Sequence, residues 1–456
     1  MNAKEKNVKE KIEKTMHYST LDGVVWAIMM NTGTVFLTPF AIAIKAPLFF
    51  ITALGSFPAL FDGIAQKIGS FFTDFGWERK KILIYGVALQ ALTWFGVAML
   101  AFQFNLLSKD FANTAFILLV IAIYFFGGVV NPAWFAIIGD VVHEKTRASW
   151  LGYRDRMWNL AGLAALVLAG IFLDYTKTNI FFGFGTLFFI AFVTRSISAY
   201  YLTLYWDPNP KAESKSKLGN DFTKYLVCIF LVFFSVNMVA PYIIIYKFNM
   251  LKFDYFQFSL TIALWTISYA LASPHWGRLI EKYGTKKVLN AVSMLSFTMI
   301  LPWIFVSNFV QSLLAEAYSG IIWSGISATV YNYLYEITPV RSRVSAMGDF
   351  SLSRGTGTFA GIIFGGAILG FLGGNAVLSF HIFFLIIALT RLITGFFVVS
   401  NTKEIVRPLK KATTGRLIAK IVTIYPFQGL AHDFGNFILW MKKHDKKHGK
   451  SKKSKI

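Results

Sequence analysis

The chain has one cysteine, Cys228, in 456 residues. That excludes an internal disulfide and any metal cluster built on cysteine. Charge is scarce as well, at 15% of residues, where an ordinary soluble domain carries about 25%. No Gly-x-x-x-x-Gly-Lys-Ser/Thr loop is present, so ATP is not expected to act directly. No His, Cys or acid cluster has metal-ligand spacing, and no cofactor is expected. Lys4, Lys6, Lys9, Lys11 and Lys14 lie among acids at the start. No short apolar core with a small-residue cleavage site follows them, so residues 1–18 read as a cytosolic lead-in.

What the chain does have is apolar residues in long blocks, 55% of the total, with 47 Phe. About twelve blocks reach the roughly 20 residues needed to cross a hydrocarbon core about 30 Å thick. Their approximate limits are 19–44, 48–72, 82–104, 113–138, 150–173, 180–205, 223–247, 255–276, 287–306, 309–334, 345–371 and 375–399. Unsatisfied backbone groups are too costly in lipid for anything but helices or closed barrels, and these blocks are too long for strands. The expected fold class is therefore all-α, a polytopic membrane protein with about twelve transmembrane helices.

A net charge of +22 raises the question of nucleic acid, but its placement argues for a membrane. With the amino terminus inside, the inner loops hold Arg79, Lys80, Lys81, Lys145, Arg147, Lys211, Lys215, Lys217, Lys282, Lys286, Lys287, Arg341 and Arg343. The outer loops hold only Lys45, Lys109, Lys177, Lys247 and Lys252. This bias puts both termini in the cytosol of a cell membrane. Residues 403–456 carry fourteen Lys/Arg against three acids, and Phe427, Leu430, Phe434, Phe437, Ile438 and Met441 fall at helical spacing. A basic amphipathic tail of this kind is expected to lie on the anionic inner leaflet, with no nucleic-acid partner.

The chain repeats itself. Asp140, Arg147 and Gly152 recur as Glu336, Arg343 and Gly348, each 196 residues later, and Thr194-Arg195 recurs as Thr390-Arg391 at the same offset. After the second and eighth blocks stand Gly69 to Lys81 and Gly277 to Lys287. Aligning Asp74 with Glu281 there puts Arg79 on Lys286 and Lys80 on Lys287, an offset of 207. The shorter later offset fits a longer outer loop near Gln103 to Asn113. Six spans per half make the halves parallel repeats. The expected domains are bundles at 19–205 and 223–402, a cytosolic linker at 206–222 and the tail at 403–456.

Over roughly 18–402 the chain resembles a major facilitator superfamily transporter, whose halves are parallel repeats with a site at their interface near mid-membrane. Gly277 to Lys287 is similar to the superfamily's loop signature Gly-x-x-x-Asp-x-x-Gly-x-Arg-Lys, with Glu281 for Asp. The earlier copy departs from it, having Ser70 and Trp77 at the glycine positions and Gly69 and Gly76 one residue early. Pro132-Ala133-Trp134 through Asp140, Arg147 and Gly152 resembles a pattern common among prokaryotic members. The stretch 159–174 lacks the Gly-Pro pair of many antiporters in the superfamily, which favours uptake or facilitated movement. Asp62 and Pro132-x-Trp134 loosely resemble the glycoside/cation symporters, though those carriers usually have more acids in the second span, and here Gln66 stands one turn after Asp62.

Candidate residues follow from the cost of charge at membrane depth. Asp62, mid-way along the second block, is the leading carboxylate for coupling to a proton or cation; its rival role is an ion pair with Lys67 or with an arginine of another span. Asp22 is a second coupling candidate. Asn31, Thr32, Trp134, Asn237, Glu316 and Tyr331 are candidates for the cavity and substrate, Glu316 because Val120 holds the matching place in the first half. An inner gate is expected from Asp74, Arg79, Lys80, Asp140, Arg147, Arg154, Glu281, Lys286, Lys287, Glu336, Arg343, Asp349 and Arg354, pairing at the cytosolic mouth in one state and parting in the other. Its second copy is expected to be the more regular side. Arg195 and Arg391, at matched depths, are expected to be architectural.

The expected function is secondary transport of a small organic solute by alternating access with a proton or cation, not enzymatic chemistry. A cation-linked sugar symporter is the narrower alternative, and a non-transporting receptor or scaffold the distant one.

Overall fold

The computed structural model describes residues 3–208, 219–339, 342–373 and 376–404, with no side-chain description at 3–4 and 144–149. The expected amphipathic tail beyond 404 and most of the 206–222 linker lie outside the described residues.

The described chain is helical. Helices α1 (Ala3–Thr32) and α2 (Leu37–Ala43) form the first span. Helices α3 (Leu48–Asp74), α4 (Arg79–Phe102), α5 (Lys109–Val141), α6 (Glu144–Tyr175) and α7 (Ile180–Thr203) complete the first half. The second half opens with α8 (Asn220–Asn237), α9 (Ala240–Ile245) and a π-helical turn, Tyr246–Met250. It continues with α10 (Tyr255–Tyr283), α11 (Thr285–Leu295) with two 3-10 turns, α12 (Phe309–Ile337), α13 (Arg343–Phe371) and α14 (Val377–Asn401). Among the described residues eleven helical stretches are long and apolar enough to cross a membrane; α12 is as long but more polar.

Two boundaries differ from the sequence reading. The lead-in is not separate from the first span, because α1 runs unbroken from Ala3. Helix α6 starts at Glu144 rather than near 150, which carries Arg154, Asp155 and Arg156 about three turns into the helix.

The repeat is visible in the turns. At the end of the molecule holding the loop signatures, Gly76 and Gly284 take φ of +79° and +85°, a region that glycine enters without a Cβ clash. The displaced glycine of the first copy thus takes the same positive φ, within a four-residue link rather than a one-residue one. At the far end, Lys45 and Lys252 both adopt positive φ, 55° and 57°. Asp254 opens α10 with a capping box, its carboxylate accepting from the Gln257 backbone N–H.

The halves meet along two seams of different character. Helices α3 and α13 run antiparallel in contact from end to end. A Cβ on Gly63 would lie 2.8 Å from Ser351 O, one on Gly355 would lie 2.5 Å from Ala59 O, and Gly348 lies against Ser70 and Lys67. Helices α6 and α10 make their close backbone contact toward the far end. There a Cβ on Gly170 would lie 2.8 Å from Tyr255 O, and the Asp174 carboxylate accepts the Tyr255 and Phe256 N–H groups at 3.0 and 2.8 Å. Continued in register, that seam would bring Gly152 to Gly277, yet a Cβ on either meets nothing within 4 Å.

The cores agree. One aromatic core at the far end joins both halves, with Phe36, Phe40, Phe116, Phe184 and Phe188 beside Tyr242, Tyr246, Phe258 and Phe380. Toward the signature end each half has its own core, around Val87, Ile137 and Tyr205 in the first and around Tyr225, Val292 and Tyr333 in the second. The molecule is closed at the far end and parted between α6 and α10 at the signature end.

The α3–α13 seam admits no side chain at its centre. Gly355→Val is expected to destabilise the protein by about 1–3 kcal/mol through overpacking. Gly370→Val, whose Cβ would sit 4.0 Å from Leu48, is expected to leave stability near that of the parent. Melting temperatures of the two variants in detergent decide it.

Candidate solute chamber and its ion pairs

The space between the halves is ringed by polar and aromatic side chains from both. Asp62 sits mid-way along α3, and its Oδ2 accepts from Arg354 Nη2 of α13 at 2.9 Å and from Gln66 Nε2 at 2.8 Å. Ser351 donates to Gln66 Oε1 at 2.7 Å, so the α3–α13 seam carries a chain of four polar residues. Of the partners considered for Asp62, an arginine of another span is the one found. Lys67 instead pairs with Asp349 at 2.5 Å, also across the halves. Asp349 and Arg354 therefore join the two halves rather than meeting Asp140 or Glu336.

From Arg354 the ring continues past Tyr331, which lies beside it, to Tyr269 of α10, which lies beside Ser327. Tyr269 stacks on Trp265, centroids 5.4 Å apart and planes 26° from parallel. Across the gap Asp155 of α6 stands within electrostatic reach of Tyr269. One turn further along α6, Trp158 stacks on Trp26 of α1 at 4.9 Å and 16°. Tyr124 of α5, beside Asp62, closes the circle.

The inner-gate residues form two sets inside the halves. Arg79, buried at the start of α4, donates to Asp140 Oδ2 at 2.6 Å and forms a second ion pair with Asp207, which the sequence reading had left in the linker. In the second half Thr285 donates to Glu336 at 2.5 Å. Since Glu336 matches Asp140, Thr285 rather than Lys286 takes the place of Arg79. Lys286 and Lys287 follow Thr285 half-buried, as Lys80 follows Arg79, and Asp74 ends α3. Glu281 is exposed and has no ion pair among the described residues. Arg343 lies 5.3 Å from the Tyr335 ring, and the Arg147 side chain is outside the described residues. Arg154 points to α1, donating to Ser19 O at 3.0 Å and lying 4.7 Å from the Trp134 ring, so both are part of a wall rather than the gate.

Other candidates are held within a half. Asp22 is buried and accepts from Ser198 at 2.5 Å and Tyr205 at 3.3 Å; Ser198 accepts from Arg195, which donates to Gln90 at 2.6 Å. The matched Arg391 donates instead to the carbonyls of Ser235, Val236 and Ser296. Asn31 and Asn237 take equivalent roles, each donating to the carbonyl four residues back at 2.9 Å. Thr32 lines an apolar groove of about 500 Å³ between α1, α6 and α7, not the chamber.

Glu316 is engaged by a residue that the charge count placed in an outer loop. Lys247 is 2% exposed; its Nζ lies 2.6 Å from Glu316 and 2.9 Å from Thr261 Oγ1, between the rings of Phe258 and Trp303. A lone lysine inside the apolar run from Tyr242 to Leu251, together with an acid lacking a counterpart in the first half, was the available signal. Asp155 was also missed as a chamber residue, although Asp155, Trp158, Asn159 and Gly162 share one helical face.

Comparison with known proteins settles the class. The family model described as Major Facilitator Superfamily matches residues 23–224 and again 225–441. The chain belongs to the major facilitator superfamily. The double match also reproduces the two halves. A curated relative in Lactococcus lactis subsp. lactis (strain IL1403), the multi-drug resistance efflux pump PmrA homolog, is 22% identical over 71% of this chain and 79% of its own. Among solved structures, a mutant of the nucleoside transporter NupG superposes at TM-score 0.65, 14% identical, covering 86% of this chain and 100% of its own. A bacterial homolog of the human lysosomal transporter Spinster, inward-facing and occupied, gives 0.64 at 14% identity over 85% of this chain and 96% of its own. These structures share the fold. The protein is a multi-pass membrane transporter of the superfamily, taking a small-molecule substrate, and not an enzyme.

The Lys247–Glu316 pair predicts a stability effect. Lys247→Met leaves Glu316 buried without its cation and is expected to cost roughly 3–5 kcal/mol. Adding Glu316→Gln is expected to restore most of it. Thermal unfolding of the single and double variants reads this as a coupling; additive effects would mean the pair is energetically idle.

Proposed function

We propose that the protein is a secondary transporter in the cell membrane, with both termini cytosolic. It carries a small organic solute by alternating access, and a proton or another cation acts at Asp62. The observation that carries this reading is the Asp62–Arg354 ion pair, which bridges the two halves mid-way along α3 and α13. Protonating Asp62, or placing a cation against it, removes the attraction that holds Arg354. A titration or cation-binding step on one residue is thereby converted into a change in contact between the halves.

The signature end is the cytosolic side by the bias of basic loops, and it is the side on which α6 and α10 part. Arg79 with Asp140 and Asp207, and Thr285 with Glu336, brace each half as a rigid body. Lys67–Asp349 and Asp62–Arg354 are the pairs that must rearrange when the halves move. The named relative is an efflux pump, whereas the missing Gly-Pro pair favours uptake, so the direction is read from vesicles.

A counterflow screen in proteoliposomes identifies a carried solute first. An imposed proton or sodium gradient is then expected to drive that solute above equilibration. Asp62→Asn is expected to abolish gradient-driven accumulation while solute exchange continues. Full accumulation by Asp62→Asn would remove Asp62 from coupling.

A further inference from the structure

The chamber holds two carboxylates, and they differ in how their charge is met. Asp62 is neutralised by Arg354 and further satisfied by Gln66. Asp155 is exposed to the chamber and has no ion pair among the described residues. Its neighbour Arg154 is turned away toward Ser19 and Trp134, and Arg156 lies about 100° further round the helix. Arg154 acts on Asp155 through space with no hydrogen bond or ion pair between them, and with Asp62 held by Arg354, Asp155 is the carboxylate left for a ligand's positive group.

The surroundings of that charge are aromatic and come from both halves. Trp158 and Trp26 present a stacked pair on the first half, and Trp265 and Tyr269 a stacked pair on the second. The Trp158 indole N–H is buried and has no hydrogen-bond partner among the described residues. A negative charge flanked by the faces of indole and phenol rings attracts a desolvated cation through ion pairing and through the ring quadrupoles.

We propose that this chamber binds an aromatic organic cation, with Asp155 against the positive group and the Trp26–Trp158 and Trp265–Tyr269 pairs against the flat body. This rests on the reading of the chamber as the solute site but not on Asp62 as the coupling residue. A ligand so held touches α6 and α10 together, the two helices that part at the cytosolic side, so its binding bears on the contact between the halves.

The test uses the purified full-length protein in detergent and tritiated tetraphenylphosphonium, read by scintillation proximity. Tetraphenylborate has the same shape with the opposite charge and serves as competitor. Saturable binding is expected, displaced by unlabelled tetraphenylphosphonium and not by tetraphenylborate. Asp155→Asn is expected to weaken it by about tenfold or more, as loss of a charge-assisted contact does, and Asp155→Glu to retain it. Tyr269→Ala, which leaves the carboxylate intact, is expected to weaken binding by about threefold. The assay needs no gradient, which separates failure of this site from failure of coupling, and Asp110→Asn, at an exposed acid outside the chamber, is expected to bind normally. No binding by the parent protein, equal displacement by tetraphenylborate, or unchanged affinity in both Asp155→Asn and Tyr269→Ala would each overturn the proposal.

Discussion

A charge inside a bilayer has to be met by an opposite charge or by several dipoles, and the way this chain does so organises the rest of the structure. Where both partners belong to one half, the pair stiffens that half. Arg79 with Asp140 and Asp207 ties α4 and α5 to the end of the first bundle, and Lys247 with Glu316 ties the π-helical turn after α9 to α12. Where the partners belong to different halves, as in Asp62–Arg354 and Lys67–Asp349, the pair holds the halves together. Both inter-half pairs lie on the α3–α13 seam. The α6–α10 seam has no such pair among the described residues, and it is the one that is parted at the signature end.

The distinction explains what the sequence could and could not reveal. Long apolar blocks and the 196-residue recurrence of Asp140 and Arg147 are properties of one chain read against itself, and they fix the helices, the halves and the family resemblance. Asp62 stood out for the same reason, being a charge where lipid forbids an isolated one. Partners are another matter. Whether Asp62 meets Lys67 or Arg354 depends on how α3 faces α13, and residues separated by nearly 300 positions share no local pattern. Lys247 shows the converse limit. By position it belongs to an outer loop, but the π-helical turn at Tyr246–Met250 rotates it inward, and only then does the unmatched Glu316 make sense.

The two copies of the loop signature also behave differently from their spelling. The second copy follows the family pattern closely, yet its acid, Glu281, is exposed. The irregular first copy contributes Arg79, the more deeply committed cation. Gly76 and Gly284 still share a positive φ because it is a backbone requirement, indifferent to the side chains around it. Backbone geometry is repeated between the halves, and charge placement is not.

That asymmetry extends to motion. Glycines let α3 and α13 approach closely along their whole length, so their contact surface is continuous and each inter-half ion pair is added to it. On the other side, the close backbone contact of α6 with α10 lies near Gly170 and Tyr255, and a Cβ on Gly152 or Gly277 meets nothing within 4 Å. A continuous seam opposite a short one has a mechanical consequence: separating the halves at the signature end widens the gap between α6 and α10 before it breaks α3 from α13. The side chains at that gap are Asp155 and Trp158 of one half and Trp265 and Tyr269 of the other, while Asp62 and Arg354 lie on the continuous seam, where their ion pair adds to the glycine contacts that hold the halves together.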